Sequence, residues 1–148
     1  MEWERYMARC LELAEQAAAL GEIPVGALVV KDGEIIGEGY NRRELDRDAT
    51  AHAEMRAIRS ACSHLNAWRL EGCTLFVTLE PCPMCTGAIL QSRISTVVFG
   101  AFDEKAGCCG SLCALPNEGF ESRPAIYGGV LEAECAGILK KFFENLRK

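Results

Sequence analysis

No apolar run in this chain approaches the ~20 residues needed to cross a bilayer, so the sequence predicts no membrane partner. Positive charge is in deficit: 16 Lys and Arg stand against 21 Asp and Glu, a net charge of −5. That argues against a general nucleic-acid coat protein, which gains affinity by neutralising many phosphates, and leaves room for a local basic patch. Internal repeats, low-complexity tracts and linkers are also missing, and 148 residues is about the size of one ordinary domain, so residues 1–148 read as one unit. The opening MEWERYMARCLELAEQ carries acidic residues every few positions and no uninterrupted apolar core, so it reads as neither a signal nor a transit peptide, and a cytoplasmic protein is expected. In that compartment the nine cysteines are expected as reduced thiols or metal ligands, not as a disulfide framework.

Hydrophobic residues make up 49% and charged residues 25%, which excludes extended disorder. Trp3, Met7, Cys10, Leu11, Ala14, Ala17, Ala18 and Leu20 recur at helical spacing before Gly21, which predicts an amphipathic first helix. The apolar runs VGALVV and EIIGEGY flank Lys31-Asp32-Gly33, and an Asp-Gly between such runs signals an antiparallel hairpin. Thr50 is a candidate cap for a second helix from about Ala51. CTLFVTL, PCPMCTGAILQS and STVVFG then read as strand, helix and strand, a crossover that makes the two strands parallel. PAIYGGV carries a faint fifth strand signal, and LEAECAGILKKFFENLRK closes the chain as an amphipathic helix.

Chemistry concentrates at two helix starts. His52 opens the second helix, and Cys82 and Cys85 open the third. A Cys-x-x-Cys at a helix start puts both sulfurs on one face, where free amides and the positive dipole end favour thiolates. One imidazole and two thiolates balance the charge of Zn²⁺, and three protein ligands leave a fourth position open, as in catalytic zinc sites. Glu54, two residues after His52, can reach the same place as a proton carrier without binding metal. Taken singly, a Cys-x-x-Cys is often a redox pair or half of a structural site, and a His-x-Glu occurs by chance. Their combination favours one catalytic zinc per chain.

His-x-Glu followed by Pro-Cys-x-x-Cys marks zinc nucleobase deaminases. The chain resembles the bacterial tRNA-specific adenosine deaminases of the cytidine deaminase-like superfamily through PVGALVV, GEGYN, TAHAEMRAI, TLFVTLEPCPMCTGAI, VVFGAFDEKAGCCGS and GVLEAECAGILKKFF. The stretch from Phe99 to Ser111 is similar to the tRNA enzymes specifically. The resemblance implies an α/β fold of three layers, α-β-α, around a central five-stranded mixed sheet. It further implies zinc on His52, Cys82 and Cys85, and Glu54 moving a proton from water to N1 of adenine as ammonia leaves and inosine forms. Asn41 and the Ala53 amide would bind the base, with Ile23, Leu79 and Pro81 lining its pocket. Asp103 would lie near the sugar and phosphate, and Phe142 and Phe143 beside a tRNA anticodon loop. A homodimer is implied as well, and an apolar face on the zinc-bearing helices (Ala57, Ile58, Ala61, Ala88, Ile89) is its sequence correlate.

Plainer readings stand beside these. Asn41 can simply end a strand, Asp103 can cap a turn, and Phe142 or Phe143 can be core. His64, Trp3 and Trp68 read as packing or surface residues. Cys108, Cys109 and Cys113 occupy positions where the family has small residues, and they read as reduced loop thiols. A family histidine is absent around Glu121-Ser122-Arg123. If RNA is the substrate, Arg42, Arg43, Arg47, Lys140, Lys141, Arg147 and Lys148 must supply a positive surface, although cations at a helix end also suit the macrodipole. A deaminase of a free base, nucleoside or nucleotide (cytidine, deoxycytidylate or guanine) is the competing activity. A non-catalytic zinc or thiol module is the competing class, and Glu54 argues against it.

Overall fold

Asp32 and Gly33 have φ of 51° and 77°, the two left-handed conformations that a type I′ hairpin loop requires. They join β1 (Gly26–Lys31) to β2 (Glu34–Tyr40), which pair antiparallel with Lys31 opposite Glu34. The structure is a computed structural model and describes residues 2–147. The first helix, α1 (Glu2–Ala19), ends as its sequence predicts, with Gly21 at φ 84° and the Glu22 N–H reaching back to the Ala17 carbonyl. After α2 (Ala53–Leu65) come β3 (Thr74–Leu79), α3 (Pro83–Ser92), β4 (Thr96–Ala101), β5 (Ala125–Tyr127) and α4 (Glu132–Leu146).

The sheet order is β2-β1-β3-β4-β5. β3 pairs antiparallel with β1 and parallel with β4, and β5 continues the parallel side, so the sheet is mixed and five-stranded as expected. Side chains alternate between its faces. Leu28, Val30, Phe76 and Val98 point to one side, where Tyr6, Met7 and Cys10 of α1 and Cys135 of α4 cover them. Ala27, Val29, Leu75, Val77, Val97 and Phe99 point to the other, beneath α2 and α3.

Three expectations are corrected. The second helix starts at Ala53 with His52 as its N-cap, not at Ala51 behind Thr50. Asp48 Oδ1 accepts from both the Thr50 N–H (2.8 Å) and its hydroxyl (2.7 Å), which leaves that hydroxyl in a turn ahead of the helix. Ala57, Ile58, Ala61 and Ile89 are buried in this chain's own core, and Ala88 packs against it, so the apolar character of this face is accounted for without a second subunit. Cys108 and Cys113 form a disulfide, their Cα atoms 4.5 Å apart. The loop between them is drawn tight, with Gly110 N–H bonded to the Cys113 carbonyl and Cys113 N–H to the Gly107 carbonyl, and that brings the two thiols together.

Candidate metal and active site

Two helix N-termini meet above the end of β3. α2 lies directly on β2 because that strand carries glycine where the helix crosses it: a Cβ at Gly39 would sit 2.6 Å from the Ala53 carbonyl oxygen, and one at Gly37 would sit 2.7 Å from the Ala61 nitrogen. This seats His52 at the N-cap of α2. β3 runs through Glu80 and Pro81 into α3, whose N-cap is Cys82 and whose first turn carries Pro83 and Cys85. Proline there costs no hydrogen bond, since the first helical amides have no intrahelical partner.

His52 Nδ1 lies 3.6 Å from Cys82 Sγ and 3.5 Å from Cys85 Sγ, and the three donor atoms fall within 4.8 Å of one another. Bond lengths of about 2.3 Å to sulfur and 2.05 Å to nitrogen at a tetrahedral angle place sulfur and nitrogen about 3.6 Å apart, so the donor set fits zinc in spacing and in chemistry. Among the described residues this is the one such group of His, Cys, Asp or Glu. Hydrogen bonds from Cys85 and His52 hold the Cys82 thiol down at about 4, whereas Cys82 and burial push Cys85 up. The bond to Cys82 raises His52 above its ordinary range. Negative charge thus gathers on Cys82 beside the His52 imidazole, the charge state that a thiolate ligand of a divalent cation needs.

Beside the donors lies a cavity of about 210 Å³, lined by Ile23, Val25, Asn41, Arg43, His52, Ala53, Glu54, Leu79, Glu80, Cys82, Asp103 and Ala106. It is smaller than the roughly 300–1,000 Å³ of drug-sized ligand pockets, which suits one flat base. Glu54 is 4% exposed, and burial pushes its carboxyl up to about 7. Asn41 follows β2, its Nδ2 donating to the Ile23 carbonyl (3.1 Å) and its Oδ1 accepting from the Arg43 N–H (3.3 Å). Asp103 lines the cavity and caps a turn as well, its Oδ1 accepting from the N–H groups of Lys105 and Ala106.

The remaining predicted residues fall elsewhere. Pro81 is buried outside the lining, its carbonyl accepting from the Cys108 N–H. Phe142 faces a surface concavity between α4 and the end of α1, and Phe143, 40% exposed, faces another with Lys105, Lys140 and Arg147. Lys148 lies outside the described residues. Sequence reasoning missed Val25, Glu80 and Ala106 as lining residues and Arg43 as a cavity residue. For Glu80 a signal existed, a carboxylate set directly between an apolar strand and the Pro-Cys of α3.

Residues 1–101 match the family described as the cytidine and deoxycytidylate deaminase zinc-binding region. The chain is 51% identical over 146 residues to a tRNA-specific adenosine deaminase of Bacillus subtilis (strain 168), covering 98% of this chain and 91% of that one. Its structure is similar to one solved in work on A-to-I editing by tRNA:A34 deaminases at the wobble position, with TM-score 0.87, 40% identity, and coverage of 91% of this chain and 99% of the other. A guanine deaminase from Bacillus subtilis is also similar, with TM-score 0.62 and 40% identity, over 80% of this chain and 71% of the other.

Proposed function

Because the chain belongs to the cytidine and deoxycytidylate deaminase family, we propose that it is a zinc-dependent hydrolase that converts adenosine to inosine at the wobble position of a tRNA anticodon loop. The likeness to a tRNA-specific adenosine deaminase over nearly the whole chain carries this reading. A base stacked inside a helix cannot enter a cavity of this size, so the substrate is a loop base turned out of its stack.

His52, Cys82 and Cys85 would hold the metal, one per chain, and bound zinc supplies the lowering of a water's pKa that makes a nucleophile at neutral pH. Glu54, in the same lining, takes a proton from water and returns it to N1 of the base. The free amide of Ala53 and the side chain of Asn41 hold the base edge, and Ile23 and Leu79 flank its faces. Asp103 stands toward the sugar and phosphate. Lys105, Lys140 and Arg147, grouped around Phe143, suit the flanking anionic strand, and Arg43 brings a cation to the cavity itself. The enzyme acts as a cytoplasmic homodimer in this reading; no described helix is long and apolar enough to cross a membrane. Sedimentation at micromolar concentration tests the dimer, and an active monomer would count against it.

A second activity, deamination of a free purine base, draws support from the small cavity, the net charge of −5 and the guanine deaminase likeness. Purified protein assayed on an anticodon stem-loop, on adenosine, on cytidine and on guanine separates the two. Inosine in the stem-loop is expected, together with a collapse of turnover in Asn41→Ala through lost positioning. An unconverted stem-loop beside rapid deamination of a free base would replace the first reading by the second.

A further inference from the structure

Besides Glu54, two carboxylates lie buried outside the metal set, Glu22 at 1% and Glu80 at 2% exposure, and neither forms an ion pair with a cation among the described residues. Burial without a partner would be costly, so both must be satisfied by hydrogen bonds. Glu80 Oε1 accepts from the Asp103 N–H (3.0 Å) and the Ser111 hydroxyl, and Oε2 from the N–H groups of Cys109 (3.1 Å) and Ser111 (3.0 Å). All four donors belong to the loop 103–111. That loop closes around the carboxylate at Gly107, where a Cβ would sit 2.6 Å from Glu80 Oε1 and 2.5 Å from the Asp103 carbonyl oxygen.

The pattern between Phe99 and Ser111 therefore has a physical reading: glycine at 107 leaves room for Glu80, and serine at 111 supplies two of its donors. Asp103 and Ala106 of this loop form one wall of the cavity. The wall containing Asn41 and Arg43 is built in the same way. Glu22 accepts from the N–H groups of Glu44 (3.2 Å) and Leu45 (2.7 Å), in the loop that follows Asn41.

We propose that Glu22 and Glu80 are positioning residues for the deamination, each fixing one wall of the substrate cavity by presenting a buried carboxylate to the backbone of a loop. The proposal rests on the deaminase reading for its substrate and on the hydrogen bonds alone for its geometry. The metal donors and Glu54 sit on helix starts, not on these loops, so loosening a wall weakens the hold on the nucleotide and leaves the reacting groups in place. Glutamine in place of glutamate keeps the shape but turns an NH₂ toward backbone N–H donors that need an acceptor.

The test compares the parent zinc enzyme with Glu80→Gln, Glu22→Gln, Ser111→Ala and the Glu80→Gln/Ser111→Ala double variant on an anticodon stem-loop RNA. For Glu80→Gln the expected result is a KM raised about tenfold or more, kcat within about threefold, and zinc content unchanged. Amide exchange should quicken at Asp103, Cys109 and Ser111, and in Glu22→Gln at Glu44 and Leu45. Ser111→Ala should raise KM less, and the double variant should be no worse than Glu80→Gln because both act through one cluster. Unchanged KM with unchanged exchange in Glu80→Gln overturns the proposal, as does a fall in kcat at constant KM, the mark of a merely destabilised fold. Should Glu80→Gln not fold, Ser111→Ala decides by the same two readouts. A parent that leaves the stem-loop unconverted defeats the substrate reading alone, and exchange at these amides still decides whether the carboxylates hold the walls.

Discussion

The paired starts of α2 and α3 and the last helix, α4, lie on opposite faces of one sheet and differ in almost every respect. At the former, Ala53 and Cys85 are fully buried and Glu54 nearly so, held between a glycine-bearing strand and the end of β3. On α4, Cys135 is the one buried residue among those described, while Phe143 and Leu146 stand 40% and 65% exposed. No described ion pair joins α4 to the rest of the chain. Bond-making needs donors fixed to fractions of an ångström, and only dense packing from several elements provides that. In the proposed function a flexible polyanion must be held as well, which needs reach and charge, and an exposed helix with lysines is suited to that.

Substitutions at the buried starts should therefore act as all-or-none events, and the largest is Cys85→Ala. Loss of a ligand that is also core should drop zinc from about one per chain to a small fraction and lower the melting temperature, because metal binding contributes to folding. Elemental analysis and a thermal scan check this, and a full zinc complement in the variant would reverse the ligand assignment. Next comes Glu54→Gln, which keeps shape and metal but removes the proposed proton carrier. Turnover should fall by about 10²–10⁴, the usual contribution of general acid–base catalysis, with zinc content and RNA affinity held. Turnover within a few-fold of the parent would refute the role.

On α4 the effects should be graded. Lys140→Ala with Lys141→Ala should weaken stem-loop binding and flatten the logarithmic salt dependence by up to about 1.4, at about 0.7 for each phosphate no longer neutralised, with kcat unchanged. A titration at several salt concentrations reads this directly, and an unaltered slope would take these lysines out of the interface.

The smallest effect concerns α1, the neighbour of α4 in the same layer, which does have an electrostatic pin. Arg9 Nε donates to Glu38 Oε2 at 2.8 Å, tying the helix to β2, and that bond holds the Glu38 carboxyl below its usual range. A depressed folded-state value means that the stabilisation is present above the unfolded pKa and is lost as pH falls through the folded one. Both side chains are about a third exposed, so less than about 1 kcal/mol is at stake. The difference in melting temperature between parent and Glu38→Gln should be small near neutrality and vanish in acid.

Hydrophobic periodicity made most of the fold legible. The hairpin, the strand-helix-strand crossover and the first helix sit within two residues of where the pattern puts them. Helix starts were harder to place, because the usual caps are oxygen-bearing side chains, whereas His52 and Cys82 occupy cap positions while directing their donor atoms at each other. The donor group of His52, Cys82 and Cys85 was readable because it is local in sequence, two short motifs. The walls were not, since Glu80 reaches its partners across 23 to 31 residues and no spacing rule signals such a pairing. The apolar face on α2 and α3 misled for a related reason: composition shows that a face is buried but not against what. The Cys108–Cys113 bridge escaped because compartment and composition speak to the average thiol, while this pair is set by the tightness of one loop.

The brevity of β5 bears on how the protein behaves at high concentration. An outer strand normally offers its unpaired amides and carbonyls as a template on which another chain can add, the first step toward filaments. Here the strand is three residues long, preceded by Pro124, which has no amide to offer, and stopped by Gly128, whose Cβ would sit 2.6 Å from a ring carbon of Phe99. Phe99 and Phe102, stacked edge to face at 5.0 Å, leave space at that point for glycine and nothing larger, so the sheet's parallel edge is shortened by the same aromatic pair that packs its end.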